Sequence, residues 1–173
     1  MSATGSRGLL VHTGVVLPEW IDINGHMNVA YYVLAFDKAV DDLLARLGVT
    51  DEYIQSTGGT TFAVECHVTY QQELTEAAPY RIESQVLAYD EKRIHQFQHL
   101  YHAEENFLAA TAEWMNLHVD LGTRKVSPWP DFVLRALERF VDVQTEAGLP
   151  REAGRKMNIE KPVWSRQALN ADR

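Results

Sequence analysis

Residues 29–47 constrain this chain more than any other stretch. Val29, Tyr32, Val33, Phe36, Val40, Leu43, Leu44 and Leu47 recur at helical spacing on one stripe. Asp37, Lys38, Asp41, Asp42 and Arg46 face away, so the segment cannot be a membrane span. Asn28 stands where an N-cap is needed, because its side-chain oxygen can accept from an orphan N–H of the first turn. Gly48 closes the helix as a C′ glycine does. A long amphipathic helix of this kind needs a broad apolar surface to lie on.

The rest of the chain offers that surface as strands. Residues 9–17 read as a first strand, ended by Pro18. Residues 60–70 alternate, with Phe62, Val64, Cys66, Val68 and Tyr70 expected on one face and Ala63, Glu65, His67 and Thr69 on the other. Residues 79–89, 93–103 and 107–119 are three further runs, separated by Asp90-Glu91 and by Glu104-Glu105-Asn106. Strand, long helix and four consecutive strands predict an α+β fold in which an antiparallel meander wraps the helix. Phe132, Val133, Ala136, Leu137, Phe140 and Val141 form the apolar face of an additional C-terminal helix. We expect one domain over residues 1–147 and a polar tail over 148–173, poorly ordered or docked on a partner.

Charge and cysteine content narrow the function. The formal net charge of −8 argues against nonspecific nucleic-acid binding. Cys66 is the one cysteine, so no intramolecular disulfide forms. That composition fits a reducing cytoplasm, and residues 9–17 lack a signal-peptide cleavage pattern. His95 and His99 share a strand face near His102, but no cysteine or carboxylate joins them at ligand-like spacing. We expect neither metal nor cofactor.

The chemistry concentrates in residues 20–32, Trp-Ile-Asp-Ile-Asn-Gly-His-Met-Asn-Val-Ala-Tyr-Tyr. An acid, Asp22, stands three residues before Gly25, and a helix starts shortly after. That start offers unpaired N–H groups and the positive end of a macrodipole, which suit a developing oxyanion. Asp22 could attack a carbonyl carbon or activate water. Asn28 reads as a cap first and a substrate contact second, and His26 as a residue that orients Asp22, ties the loop or takes a direct catalytic part.

The pattern Asp-x-x-Gly-His-x-Asn, with Tyr32 at the tenth place after the acid, resembles the signature of 4-hydroxybenzoyl-CoA thioesterase-type hotdog enzymes. The longer text, from Pro18-Glu19-Trp20 through Phe36-Asp37 to Asp90-x-Lys92-Arg93-x-His95, is similar to betainyl-CoA thioesterases of carnitine breakdown. It is similar too to the thioesterase domain fused to some carnitine dehydrogenases. The resemblance covers roughly residues 9–145. It implies a hotdog fold, an acyl-CoA substrate, Asp22 as catalytic carboxylate and the Val29 N–H as oxyanion donor. It also implies edge-to-edge dimers, or dimers of dimers, whose sites draw on both chains. Glu65, on the polar face of its strand with His67, reads either as exposed or interfacial surface or as a carboxylate that reaches the partner's site. The family often has a Gly-Asp pair after the strand containing Tyr70, where this chain has Glu76-Ala77-Ala78-Pro79.

Other candidates rest on residue type. Trp20, Tyr31, Tyr32, Tyr70 and Trp114 are the aromatics expected near the site, as packing or as a cage for a quaternary ammonium. Lys92, Arg93, Arg124 and Lys125 lie in strand-end turns, as solvated surface or as contacts for coenzyme A phosphates. Two other readings stay open. One is an enoyl-CoA hydratase-like hotdog enzyme using Asn24 and His26. The other is a noncatalytic acyl-CoA-binding module.

Overall fold

The computed structural model describes residues 3–4, 9–144 and 147–157. Its elements are β1 (Ala3–Thr4), β2 (Leu10–Val15), α1 (Val29–Arg46), α2 (Asp51–Thr57), β3 (Gly59–Tyr70), β4 (Pro79–Tyr89), β5 (Arg93–His102), β6 (Leu108–Asp120), β7 (Lys125–Val126) and α3 (Asp131–Gln144). The α1 residues Tyr32, Ala35, Phe36, Ala39, Val40, Leu43 and Leu44 are buried against the sheet. Ile82, Val86, Ile94, Leu100, Ala110, Ala112 and Trp114 complete that core from the strands. The small alanines at 35 and 39 let helix and sheet approach closely. This is the expected α+β hotdog plan, a curled antiparallel sheet around one long helix.

Three expectations need correction. First, the strands do not form a simple meander. The sheet order is β1-β2-β4-β5-β6-β3, with β7 added to β6, so β3 pairs with β6 and becomes an edge. The connection from β3 to β4 must therefore cross the end of the sheet. Leu74 anchors it from the core, which is why that connection can be neither short nor wholly polar.

Second, the alternation of β3 breaks at a bulge between Ala63 and Glu65. Cys66 stands opposite Trp114, on the face toward α1, and Ala63 stands opposite the buried Asn116 on that same face. Phe62 stands opposite Leu117 and so lies on the outer face, away from Cys66, Val68 and Tyr70. Third, Val29 and Val33 lie off the buried stripe and are exposed. Phe132 likewise leaves the α3 core face. Its ring packs edge-on against Tyr53 of α2, a short helix capped by Thr50 that periodicity alone did not reveal.

The described part of the tail runs across the outer face of the chain's own sheet. Gln85 Nε2 donates to the Gly148 carbonyl at 2.7 Å, His99 meets Glu152 at 3.3 Å, and Gly154 N–H donates to Glu113 at 2.8 Å. Residues 158–173 lie outside the described residues. No helix among the described residues is long and apolar enough to cross a membrane.

Candidate active site

Asp22 is held by the loop that leads into α1. Its N–H donates to the His26 carbonyl, and Gly25 N–H donates back to the Asp22 carbonyl, both at 3.0 Å. Gly25 makes this possible with φ of +80°, a conformation that costs other residues more. No atom lies within 4 Å of where its Cβ would stand, so glycine serves the turn here rather than a close approach. An Ile21–Met27 bridge and a 2.9 Å bond from Asn28 N–H to the Trp20 carbonyl close the loop.

Both carboxylate oxygens of Asp22 are engaged. Asn24 N–H donates to Oδ1 at 2.8 Å, and Asn28 Nδ2 approaches Oδ2 at 3.5 Å. Asn28 Oδ1 meanwhile accepts from Ala30 N–H at 3.0 Å, capping α1 as its sequence position requires. The neighbouring Val29 N–H has no hydrogen-bond partner among the described residues. One asparagine thus caps the helix and holds the acid beside a free donor at the positive end of the macrodipole.

Next to that donor opens a cavity of about 190 Å³, lined by His26, Met27, Val29, Tyr32, Tyr70, Gln71, Gln72 and Glu73. Tyr32 is fixed there, since its hydroxyl accepts from Leu74 N–H at 3.0 Å. Met27 N–H donates to the Leu74 carbonyl at 2.8 Å, which ties the acid's loop to the β3–β4 crossover. The Tyr32 and Tyr70 rings meet edge-on with centroids 5.3 Å apart. A larger cavity of about 420 Å³, lined by Leu10, Arg46, Leu47 and α3 residues, lies at the other end of α1, about 25 Å along the helix, and contains no acid.

Residues 16–137 match the family model of the thioesterase-like superfamily. The chain belongs to that superfamily. It is 32% identical over 154 residues to the betainyl-CoA thioesterase of Pseudomonas aeruginosa, covering 89% of this chain and 97% of that one. It is 34% identical over 149 residues to an L-carnitine dehydrogenase/betainyl-CoA thioesterase of Agrobacterium fabrum, matching 84% of this chain but 30% of that longer protein. Among solved structures, a hypothetical Staphylococcus aureus protein in complex with CoA superposes with a TM-score of 0.83. It is 29% identical, and the match covers 87% of this chain and 95% of that one. A thioester-hydrolysing hotdog enzyme is what the sequence led us to expect, and these matches agree.

Within this superfamily member, the expected site residues separate into groups. His26, Val29, Tyr32 and Tyr70 line the cavity at the helix start, while Asp22 and its partner Asn28 stand at the same helix start but outside that lining. Trp20 and Trp114 do not line that cavity. Trp20 is buried, stacked on Tyr31 at 5.4 Å with Lys38 over its ring at 5.7 Å. Trp114 is buried too and donates to Gln98 Oε1 at 2.9 Å. A five-membered aromatic cage is therefore not assembled.

Glu65 lies mid-strand in β3 on the outer face, lining a different cavity with His67, His95 and Glu113. The basic residues sit at the far end of the sheet. Arg93 pairs with Asp90 at 2.6 Å and Lys92 with Glu91 at 3.1 Å, while Arg124 covers Phe62 at 5.0 Å. Exposed Lys125 follows in β7. Gln71, Gln72 and Glu73 were missed from sequence. They follow a strand without a recognisable motif, and only the crossover brings them to the helix start.

Proposed function

We propose that this protein is a cytoplasmic acyl-CoA thioesterase that hydrolyses betainyl-CoA to glycine betaine and coenzyme A. The observation that carries the reading is the pairing of Asp22, both oxygens engaged, with the unpartnered Val29 N–H one residue beyond its asparagine anchor. A thioester carbonyl oxygen accepted by Val29 N–H gains stabilisation as it turns into an oxyanion. Asp22 then either deprotonates a water that attacks the carbonyl carbon, or attacks it directly to give an acyl–Asp22 anhydride that a water hydrolyses. In both routes the C–S bond breaks and coenzyme A leaves as the thiolate and takes up a proton. His26, beside the cavity, orients the loop. A cavity of about 190 Å³ is below the usual ~300 Å³ of drug-sized sites, which favours a small acyl group. The named activity of the Pseudomonas aeruginosa relative supports the choice of acyl group.

In this reading the working unit is a homodimer. The edge strand β3 carries its most exposed residues at the centre, Val64 at 56%, beside exposed Ala63, Glu65 and Cys66. Val29 at 55% and Ile23 at 100% continue the apolar rim toward Asp22. An unprotected apolar edge needs covering. Antiparallel pairing of β3 with its copy about a two-fold axis near Val64 does so. It also sets the partner's Arg124 end beside this chain's Tyr70, and brings Glu65 to the axis. Coenzyme A phosphates are then held by Arg124, Lys125, Lys92 and Arg93 in trans.

The test is a panel of acyl-CoAs, betainyl-CoA included, with free thiol measured after each. Betainyl-CoA should show the highest kcat/KM; no thiol from any member would sink the proposal. In heavy-oxygen water, label in the Asp22 side chain after repeated turnovers marks direct attack with hydrolysis at the enzyme carbonyl, while label in the product acid alone fits general-base catalysis or an anhydride hydrolysed at the substrate carbonyl.

A further inference from the structure

We infer that Glu73, with the rings of Tyr32 and Tyr70, is the element that selects a cationic acyl group in the cavity beside the α1 start. This rests on the thioesterase reading and assigns its specificity. The lining of that cavity holds no lysine or arginine, and its one carboxylate is Glu73. Glu73 forms no ion pair among the described residues, whereas Glu83, Asp90 and Glu113 already hold an arginine or a histidine. A free carboxylate at the mouth of a small cavity is a standing attraction for a positive group that fits.

The surroundings fix the backbone that carries this exposed side chain. Leu74, the next residue, is buried, donates its N–H to the Tyr32 hydroxyl and accepts from Met27 N–H at its carbonyl. The backbone at 73–74 is therefore clamped between the helix and the acid's loop. Burial first, and the Glu73 charge among lesser causes, push the Tyr32 phenol up from its ordinary value, so the ring stays neutral and electron-rich. Tyr70 stands edge-on to it, half-exposed, and completes two walls that an ammonium can lie against.

The geometry is also bipolar in the right sense. The helix start, with the Val29 N–H, is the positive end and receives the carbonyl oxygen; Glu73 is the negative end. An acyl group with a cationic nitrogen two bonds from its thioester carbon presents its oxygen to the first and its charge to the second, whereas a neutral group of the same shape gains nothing at the second.

The experiment compares betainyl-CoA with tert-butylacetyl-CoA, in which carbon replaces the charged nitrogen. We expect the wild-type kcat/KM to favour the cationic substrate about tenfold, the scale of one charge contact together with two cation–π contacts. Glu73→Gln should reduce that preference to about twofold or less, and Glu73→Asp should keep part of it. Glu76→Gln, an exposed acid of the same crossover outside the cavity lining, should leave the preference intact. An unchanged preference in Glu73→Gln overturns the inference while leaving the thioesterase reading. Equal loss in Glu76→Gln also overturns it, since the effect would then be general charge. No thiol released from either substrate by wild-type protein overturns both.

Discussion

The two ends of the sheet are built differently and divide the chemistry between them. The Tyr70 end has long irregular connections, residues 16–28 and 71–78, knitted by backbone bonds such as Val16 N–H to Ala78 O and Met27 N–H to Leu74 O. It carries the acid, the free helix donor and a cavity whose lining contains no lysine or arginine. The opposite end has tight turns, 90–93 and 120–125, and carries the four basic residues. Phe62, under Arg124, is eight residues of β3 from Tyr70, about 26 Å at strand spacing. One chain thus keeps Asp22 and these basic residues a sheet length apart. In the proposed homodimer, two-fold edge pairing sets one end beside the other.

The largest effect is expected at the acid. Asp22→Ala should lower kcat about a hundredfold or more, the scale of losing general acid–base or nucleophilic assistance. The fold should survive, because the loop closes through backbone bonds that the side chain does not make. His26→Ala should cost less. If Asp22→Ala turns over normally while Glu65→Ala does not, the division of labour between the ends is wrong.

Next comes the edge itself. Val64→Lys places a charge at the exposed bulge, a device that keeps edges unpaired. We expect a monomer by light scattering, an unchanged circular dichroism spectrum, and kcat/KM reduced at least about tenfold. A fully active monomer would show that one end suffices.

How much of this division was legible in the sequence depends on the range of the forces involved. The α1 boundaries, the Asn28 cap and the Asp22 loop are local, set by spacing and turn chemistry, and they stand as expected. The pairing of β3 with β6 is nonlocal, and nothing in residues 60–70 names its partner. The bulge at Val64 escaped because alternation looks unbroken until Glu65 meets Met115 and Ala63 meets Asn116. Residue type made Trp20 and Trp114 candidates for packing or a cage but does not place a ring: Trp20 packs on Tyr31 in the turn before α1, and Trp114, on the same sheet face as Tyr70, donates to Gln98 instead. Glu73 had no motif; a buried leucine after it was the nearest signal.

A smaller effect is expected at the basic end. Arg124→Ala should raise KM for the CoA thioester about two- to fivefold with kcat little changed, the scale of one exposed charge contact. The effect should shrink as salt rises. Mixing this variant with Asp22→Ala decides whether the arginine acts across the interface. A mixed dimer then has one site with both groups intact, so a low-KM component reappears. If no such component appears, the basic end serves its own chain or no site at all.

The smallest effect concerns a strain that both ends share. Ala77 at the Tyr70 end and Arg124 at the other adopt left-handed φ of 62° and 58°. Such a conformation costs an L-residue about 1–2 kcal/mol, while glycine adopts it freely but loses more chain entropy on folding. Ala77 stands in the connection where related enzymes often carry glycine, and its N–H still donates to Val16 O at 3.0 Å. Ala77 thus holds a left-handed turn that glycine would adopt without this strain. Ala77→Gly should stabilise the protein by about 0.5–1 kcal/mol, raising Tm by about 1–4 °C at this chain length. Its kcat and KM should be untouched, because Ala77 lies outside the cavity. Arg124→Gly relieves the same strain but removes the guanidinium from Phe62, so its Tm should move less while its KM rises as in Arg124→Ala. Equal behaviour of the two glycine variants in both Tm and KM would mean that the arginine side chain contributes nothing beyond its backbone, and the basic end would lose its assigned task.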